Sequence, residues 1–430
     1  MPASLTDTRS AELYRRAVRV LPGGVNSPVR AMRSIGRDPI FIERGAGAEL
    51  TDVDGNVYID YVCSWGPLIH GHAHPTILAA LADAASRGTT FGAATAGEVE
   101  LAELVASRMP AVDMLRMTSS GTEAAMSVVR LARAATGRTK LLKFAGAYHG
   151  HVDGLLAEAG SGLATQGIPS SPGVPAAATA ATVIIPWNDL EAVERAFAQH
   201  DFAAALVEAY PANMGLVPPA AGLLGRLREL SDANGCLLVF DEVITGFRIA
   251  PGGAQELSGV LPDLTIMGKV IGGGLPAAAY GGSVELLERI APAGDVYQAG
   301  TLSGNPLAVA AGRAALELLD EDAYARLALT TRTLAEGLAE AAARHGVPVQ
   351  VAHTCGLLTV FFSSEPVTDY VGASACDGAG YAAWCLALLA RGVYPPPSQY
   401  EAWFPSLAHS EEHVARTLEA AEAAFGEVAQ

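Results

Sequence analysis

Residues 236–248 read CLLVFDEVITGFR, five apolar positions running into Asp241 and Glu242. So short an apolar run reads as a buried strand. Its carboxylates then fall at the C-terminal end, where open α/β sheets hold their ligands. The segment DLTIMGKV (263–270) repeats the pattern and carries Lys269 near its end, followed by Gly272, Gly273 and Gly274. Working outward, DMLRMT (113–118), TKLLKFAG (139–146), ATVIIPWN and FAAALVEAY (202–210) read as further strands. GTEAAMSVVRLARAATG (121–137), DLEAVERAFAQH and GLLGRLRELSDANG read as helices between them. Short apolar strands alternating with helices predict an α/β fold, a mostly parallel central sheet covered by helices.

The flanks read differently. A helix is expected over 10–21, LPGGVNSPVR breaks it, and ELTDVDGNVYIDYV (49–62) folds as two strands about the Asp54-Gly55 turn. Helices follow at about 76–86 and 98–109, then from Pro306 toward Leu319, and over 324–344, 377–390 and 411–425, with the short strands LLTVFF and GVYPP among the last. A chain of 430 residues exceeds one ordinary core. Residues 60–310 are assigned to a large ligand-binding domain. The segments 1–59 and 311–430 are assigned together to a smaller α+β domain, because neither end carries a convincing core of its own.

A formal charge of −17 without an arginine-rich arm argues against nucleic-acid or anionic-membrane binding. The mean hydropathy of +0.27 reflects alanine, and the longest uncharged run, Ala159–Asn188, is broken by Gly, Ser and Pro. It reads as a loop and not as a bilayer helix. Five cysteines without CxxC spacing fit a reducing cytoplasm, and the first residues lack a signal-peptide apolar core.

Lys269 is one of only three lysines, with Lys140 and Lys143, among 28 basic residues. An apolar surround disfavours its charged form and makes a nucleophilic amine accessible. The glycines after it would let the backbone approach a planar ligand. Asp241 needs a partner, either a protonated ring nitrogen or a structural cation such as Arg248. In TSSGTEAAM (118–126), Ser120, Gly121 and Thr122 stand where a strand enters a helix. Such a turn is either a plain N-cap or an anion cradle. Neither GxxxxGK[ST] nor GxGxxG is present, so nucleotide readings fall away. Phosphate on the 120–122 turn, ring nitrogen at Asp241 and aldehyde at Lys269 together describe pyridoxal phosphate. Val243 would pack on one ring face and Tyr148 on the other. The histidines 70, 72, 74, 149 and 151 lack a metal framework and read as turn residues; no metal is expected.

SSGTEA, DEVITGFR, IMGKVIGGGLP and AGTLSGNP resemble the class III aminotransferases, which are fold-type I pyridoxal-phosphate enzymes. The likeness extends through GGVNSPVR (23–30), YVCSWGP (61–67), GHAHP (71–75), YHGHVD (148–153), GSGLATQGIPSSPGVP (160–175) and PSQYEAWFPSLAH (397–409). It implies that Lys269 is the Schiff-base lysine, Asp241 the pyridinium partner and Gly121 and Thr122 phosphate donors. Thr301 would reach a phosphate across a homodimer interface. Ser27 and Arg30 would take a substrate carboxylate, with Glu401 near that arginine and Trp65 lining the pocket. Asn213 is carried over as a cofactor contact, although EAYPANMG (208–215) replaces the family's usual proline and glycine with Ala209 and Ala212.

GGVNSPVR, the long 151–180 loop and SQYEAWF are similar to the branch that moves an amino group within one substrate. There the pyridoxal and pyridoxamine phosphate forms would alternate while (S)-4-amino-5-oxopentanoate becomes 5-aminolevulinate through 4,5-diaminopentanoate. The glycines and prolines of 160–175 suggest a closing loop that retains the diamine. The resemblance also implies a role in tetrapyrrole synthesis and a transient contact with glutamyl-tRNA reductase. The rival within the family is an aminotransferase using a separate donor and acceptor. A noncatalytic metabolite binder would need neither Lys269 nor Asp241.

Overall fold

A computed structural model of the chain describes residues 6–156 and 171–429. Near the N-terminus a meander of three antiparallel strands forms from β1 (Ile42–Ala46), β2 (Glu49–Asp52) and β3 (Val57–Asp60). The preceding helix, α1 (Thr8–Ala17), begins and ends earlier than the sequence predicts. Its start is fixed from outside, since Asp54 of the β2–β3 turn accepts the Arg9 and Ser10 backbone N–H groups at 2.7 and 2.8 Å. Those groups are orphan donors at the start of a helix, and a carboxylate is a natural partner for them.

The central sheet has seven strands: β4 (Met114–Thr118), β5 (Lys140–Phe144), β6 (Thr182–Ile185), β7 (Phe202–Val207), β8 (Leu237–Glu242), β9 (Leu264–Met267) and β10 (Ala278–Gly282). Their order is β4-β10-β9-β8-β7-β5-β6, and β10 alone runs antiparallel to its neighbours. Every residue of β7 is buried. Ala204 and Leu206 pack with Ala124, Val128 and Leu131 of a helix on one face. Ala205 and Val207 pack with Val193, Phe197 and Leu227 of two helices on the other. Covering on both faces explains why these strands read as continuous apolar runs.

β10 was not predicted, because alanine and glycine carry little strand propensity. Its packing requires them. A Cβ on Gly281 would stand 2.6 Å from Val112 Cγ1, and one on Gly282 would stand 2.5 Å from the Asp263 carbonyl oxygen. β1 was missed for another reason, since its residues are largely exposed and carry no apolar alternation.

The C-terminal third adds a hairpin, β11 (Gln350–Thr354) and β12 (Leu357–Phe361), and the short β13 (Val393–Tyr394). β13 pairs parallel with β3, so both chain ends share one four-stranded sheet. Tyr58, Ile59 and Tyr61 pack there with Leu338, Trp384 and Phe425. The helix Pro306–Glu317 spans residue 311 without a break. Within the run Ala159–Asn188, the described part is not all loop: it holds the short helix Ala176–Thr179 and then β6. Most of GSGLATQGIPSSPGVP lies outside the described residues, and with it the segment assigned to closure. Among the described residues no helix is long and apolar enough to cross a membrane.

Candidate active site

A cavity of about 630 Å³ opens where β8 and β9 end, and Asp241, Lys269, Gly121, Thr122, Tyr148 and Glu401 stand among its lining residues. Alternation along β8 separates its two carboxylates. Asp241 faces the cavity, with Oδ2 2.8 Å from His149 Nδ1 and Oδ1 accepting the Val243 N–H at 3.1 Å. Glu242 turns into the core, where it accepts from the Thr245 hydroxyl at 2.5 Å, the Ala254 N–H at 2.8 Å and the Gln255 N–H at 3.0 Å. Neither carboxylate pairs with Arg248, the structural alternative for Asp241, because the Arg248 fork is turned toward backbone carbonyls.

Lys269 opens the short 3₁₀ turn Lys269–Gly272 directly after β9 and holds a left-handed φ of 52°. Such a φ is costly for a residue with a Cβ and is tolerated where the surroundings enforce it. Burial pushes its amine down to about 8, against the opposing pull of Glu401, Glu208 and Asp241. The glycines beyond it serve packing and not a ligand. A Cβ on Gly273 (φ 57°) would collide with the Ala311 carbonyl, and one on Gly272 would reach 3.2 Å from Ala277 Cβ. They seat the lysine turn against the helix Pro306–Glu317 and do not line the cavity.

Two features test whether the donors suit the expected cofactor. At the start of the helix Gly121–Thr136, the Ser120 hydroxyl is committed to the cap, accepting the Glu123 N–H at 3.2 Å, while Gly121 and Thr122 face the cavity. A helix N-terminus with free N–H groups suits a phosphate. On the floor, the buried Asp241 offers a carboxylate suited to a protonated ring nitrogen, and the His149 Nε2 behind it is buried with no partner among the described residues. Amine, carboxylate and anion cradle on one cavity fit pyridoxal phosphate.

The sequence pattern of the family described as Aminotransferase class-III matches residues 32–425. The chain belongs to the class III aminotransferases. It is 54% identical to a glutamate-1-semialdehyde 2,1-aminomutase of Thermomicrobium roseum over 98% of this chain and 99% of that one. It is 56% identical to the enzyme so named in Desulforudis audaxviator, over 97% of each. Among solved structures, an omega-transaminase from Sphaerobacter thermophilus superposes with a TM-score of 0.90 at 36% identity, covering 97% of both chains. A glutamate-1-semialdehyde aminomutase from Pseudomonas aeruginosa gives 0.86 at 30% identity, covering 98% of this chain and 94% of that one.

Both residues expected against a ring, Val243 and Tyr148, are found at the cavity. Val243 lines the cavity and is wedged between two glycines, since a Cβ on either Gly121 or Gly268 would lie 3.1 Å from it. Tyr148 lines it too, and its backbone N–H donates to Glu208 Oε1 at 2.7 Å. The other oxygen of Glu208 accepts from Ala212 N–H at 3.1 Å and Asn213 Nδ2 at 2.9 Å. The altered EAYPANMG turn therefore still brings Asn213 to the cavity, with Ala209 and Ala212 buried behind it.

Ser27, Trp65 and Glu401 also line the cavity. Trp65 sits on three consecutive left-handed residues, Cys63 (φ 44°), Ser64 (φ 58°) and Trp65 (φ 68°), braced by Asp60 Oδ1, which accepts the Val62 and Cys63 N–H groups at 2.8 and 3.1 Å. Arg30, on the turn Pro28–Ala31, is exposed and does not line the cavity, and exposed Thr301 stands outside it as well. Ser120 is outside for the capping reason given above.

Sequence reasoning missed His149 and Glu208. It left His149 among the turn histidines, and Glu208 only as a match to a family pattern. The signal available was a buried carboxylate's need for donors, which Asp241 and Glu208 both meet across the cavity wall. Of the other histidines, His151 also lines the cavity, while His70 Nε2 lies 2.7 Å from the Ala315 carbonyl and His72 Nε2 2.7 Å from Asp60 Oδ2. Among the described residues no three His, Cys, Asp or Glu are grouped to hold a metal.

Proposed function

We propose that this chain converts (S)-4-amino-5-oxopentanoate, glutamate 1-semialdehyde, into 5-aminolevulinate by intramolecular amino transfer, a step of tetrapyrrole synthesis. The observation that carries this reading is the near full-length identity of 54% and 56% to two named aminomutases, on a chain whose Lys269, Asp241 and helix N-terminus meet in one cavity. Fold alone does not separate it from transaminases with separate donors, since both kinds superpose closely.

Bound pyridoxal phosphate supplies an electron sink and, in its pyridoxamine form, the amino group that is exchanged. The chain's residues do the rest. Lys269, with its amine brought to about 8, carries a proton off and back near neutral pH, where free base and ammonium are both accessible. Asp241 would hold a protonated ring nitrogen, and His149 holds Asp241 at 2.8 Å. Gly121 and Thr122 anchor the phosphate, while Tyr148, Val243 and Asn213 restrict the ring. Ser27, Trp65 and Glu401 receive the substrate, and Arg30 turns inward to take its carboxylate, a bidentate task suited to arginine.

We assign a homodimer in which Thr301 serves the second subunit's phosphate site. The exposed apolar side chains beside it, Tyr297 and Leu302, support that face as the interface. The parts 1–59 and 311–430 are read as one small domain around residues 60–310, supported by the shared sheet of β3 and β13. The cytoplasmic site and a transient contact with glutamyl-tRNA reductase follow the proposed pathway.

The test supplies purified, cofactor-loaded protein with glutamate 1-semialdehyde and no other amine, then follows 5-aminolevulinate over many turnovers. Sustained production is expected. Product stopping at one turnover, restored only by an added amino donor, would instead identify a two-substrate aminotransferase.

A further inference from the structure

Arg248 is fully buried, yet all its acceptors are carbonyl oxygens. Nη1 donates to Gly356 at 3.1 Å and to Pro405 at 3.2 Å, Nη2 donates to Gly66, and Nε has no partner among the described residues. A buried ion is expensive unless paired, and an apolar side chain of similar length would fill the space more cheaply. Neutral dipoles leave its charge to act on what lies nearby.

What lies nearby is Lys269. The guanidinium carbon is 5.3 Å from the centroid of the Phe404 ring, and the Lys269 amine is 5.9 Å from the same centroid. A second route runs through Gly66, whose carbonyl Arg248 grips. A Cβ there would fall 2.9 Å from Phe404 Cε1 and 3.3 Å from Lys269 Cδ, so the bare glycine packs on both. We propose that Arg248 is a positioning residue for Lys269, fixing the lysine stem through Phe404 and Gly66 and holding a fixed positive charge behind it.

The inference rests on Lys269 being the reacting amine. Burial is the largest influence that lowers its pKa; Glu401, Glu208 and Asp241 oppose it, and Arg248 works with the burial. Without Arg248 burial alone opposes the three carboxylates, and the amine holds its proton to higher pH.

The chain's three lysines make this measurable by competitive acetylation with acetic anhydride across a pH series, read peptide by peptide in full-length protein loaded with pyridoxamine phosphate. That form leaves the Lys269 amine uncombined, and Lys140 serves as the internal reference. In Arg248→Gln, which keeps donors for the carbonyls, labelling of Lys269 at neutral pH should fall about threefold, the equivalent of roughly half a pKa unit. Arg248→Met should do the same. Arg248→Lys should keep the wild-type curve and lose only thermal stability, which keeps a test in hand if the neutral variants do not fold. A shifted curve in Arg248→Lys, or an unshifted one in both neutral variants, would overturn the role of Arg248 alone. A wild-type Lys269 titrating like Lys140 would overturn the reading of the site and this proposal with it.

Discussion

The cavity has two sides built on different principles. On one, buried Asp241 stands at the end of β8 and half-buried Lys269 just past the adjacent parallel strand β9, with Asp241 held by His149 and the Val243 N–H. On the other, Ser27 and Arg30 come from an N-terminal 3₁₀ turn and Glu401 from a segment near the C-terminus, and the Arg30 side chain is still in solvent. Strand ends fix a reacting group to within a fraction of an ångström, which proton transfer demands. A turn leaves freedom to admit and release a substrate. On the proposed function, the chemistry side is preorganised and the recognition side is adaptable.

The harshest way to break this contrast is to remove the amine from the rigid side. Lys269→Ala should lower kcat by about 10³-fold or more, since both nucleophile and proton carrier are lost. Single-turnover assays would check it. A fall of tenfold or less would mean that another residue moves the proton.

That rigid side was also the more legible one. Asp241 and Lys269 could be placed because each closes a short apolar run, and a strand period fixes where such a residue points. His149 could not, since its partner is 92 residues away and nothing local distinguishes it from His151. Gly273 was misread because a glycine tract announces close approach without saying to what, here the Ala311 backbone. The ion pair between Asp241 and Arg248, the alternative left open for that carboxylate, is absent because carbonyls from three distant segments took the arginine's donors. β10 escaped because its alanines and glycines are chosen by neighbours on other strands. Whatever depended on one element's own period was readable; whatever depended on partners remote in sequence was not.

The rigid side should also cost stability. With the lysine's folded pKa near 8 and its unfolded value at 10.5, the unfolded chain binds more protons between those limits. Stability of the cofactor-free protein therefore rises as pH climbs from about 8 to about 10.5, and below that window the buried ammonium costs about 3 kcal/mol. Lys269→Met should flatten this slope and raise denaturant midpoints at neutral pH. An unchanged slope would show that the amine is solvated before unfolding.

The adaptable side predicts a different kinetic signature. Arg30→Ala should raise KM by about 10- to 100-fold, the worth of a charge-assisted pair, with a smaller change in kcat. Steady-state kinetics with the natural amino-aldehyde would separate the two parameters. A loss confined to kcat would place Arg30 with the preorganised machinery and erase the distinction between the two sides.

The mildest test lies where the two sides meet, at the helix N-terminus. Ser120 and Thr122 are two residues apart, yet only Thr122 lines the cavity, while the Ser120 hydroxyl accepts the Glu123 N–H at 3.2 Å. Ser120→Ala should therefore cost about 1 kcal/mol of stability, the usual worth of an N-cap, and leave cofactor affinity within about twofold. Thr122→Ala should weaken pyridoxal phosphate binding with little change in melting of the cofactor-free chain. Equilibrium dialysis and thermal melts of the two variants give the comparison. If Ser120→Ala were the one to lose cofactor, its hydroxyl would have to leave the cap and turn to the phosphate on binding. The helix start would then be a moving part, and the preorganised side of the cavity would shrink to the strand ends.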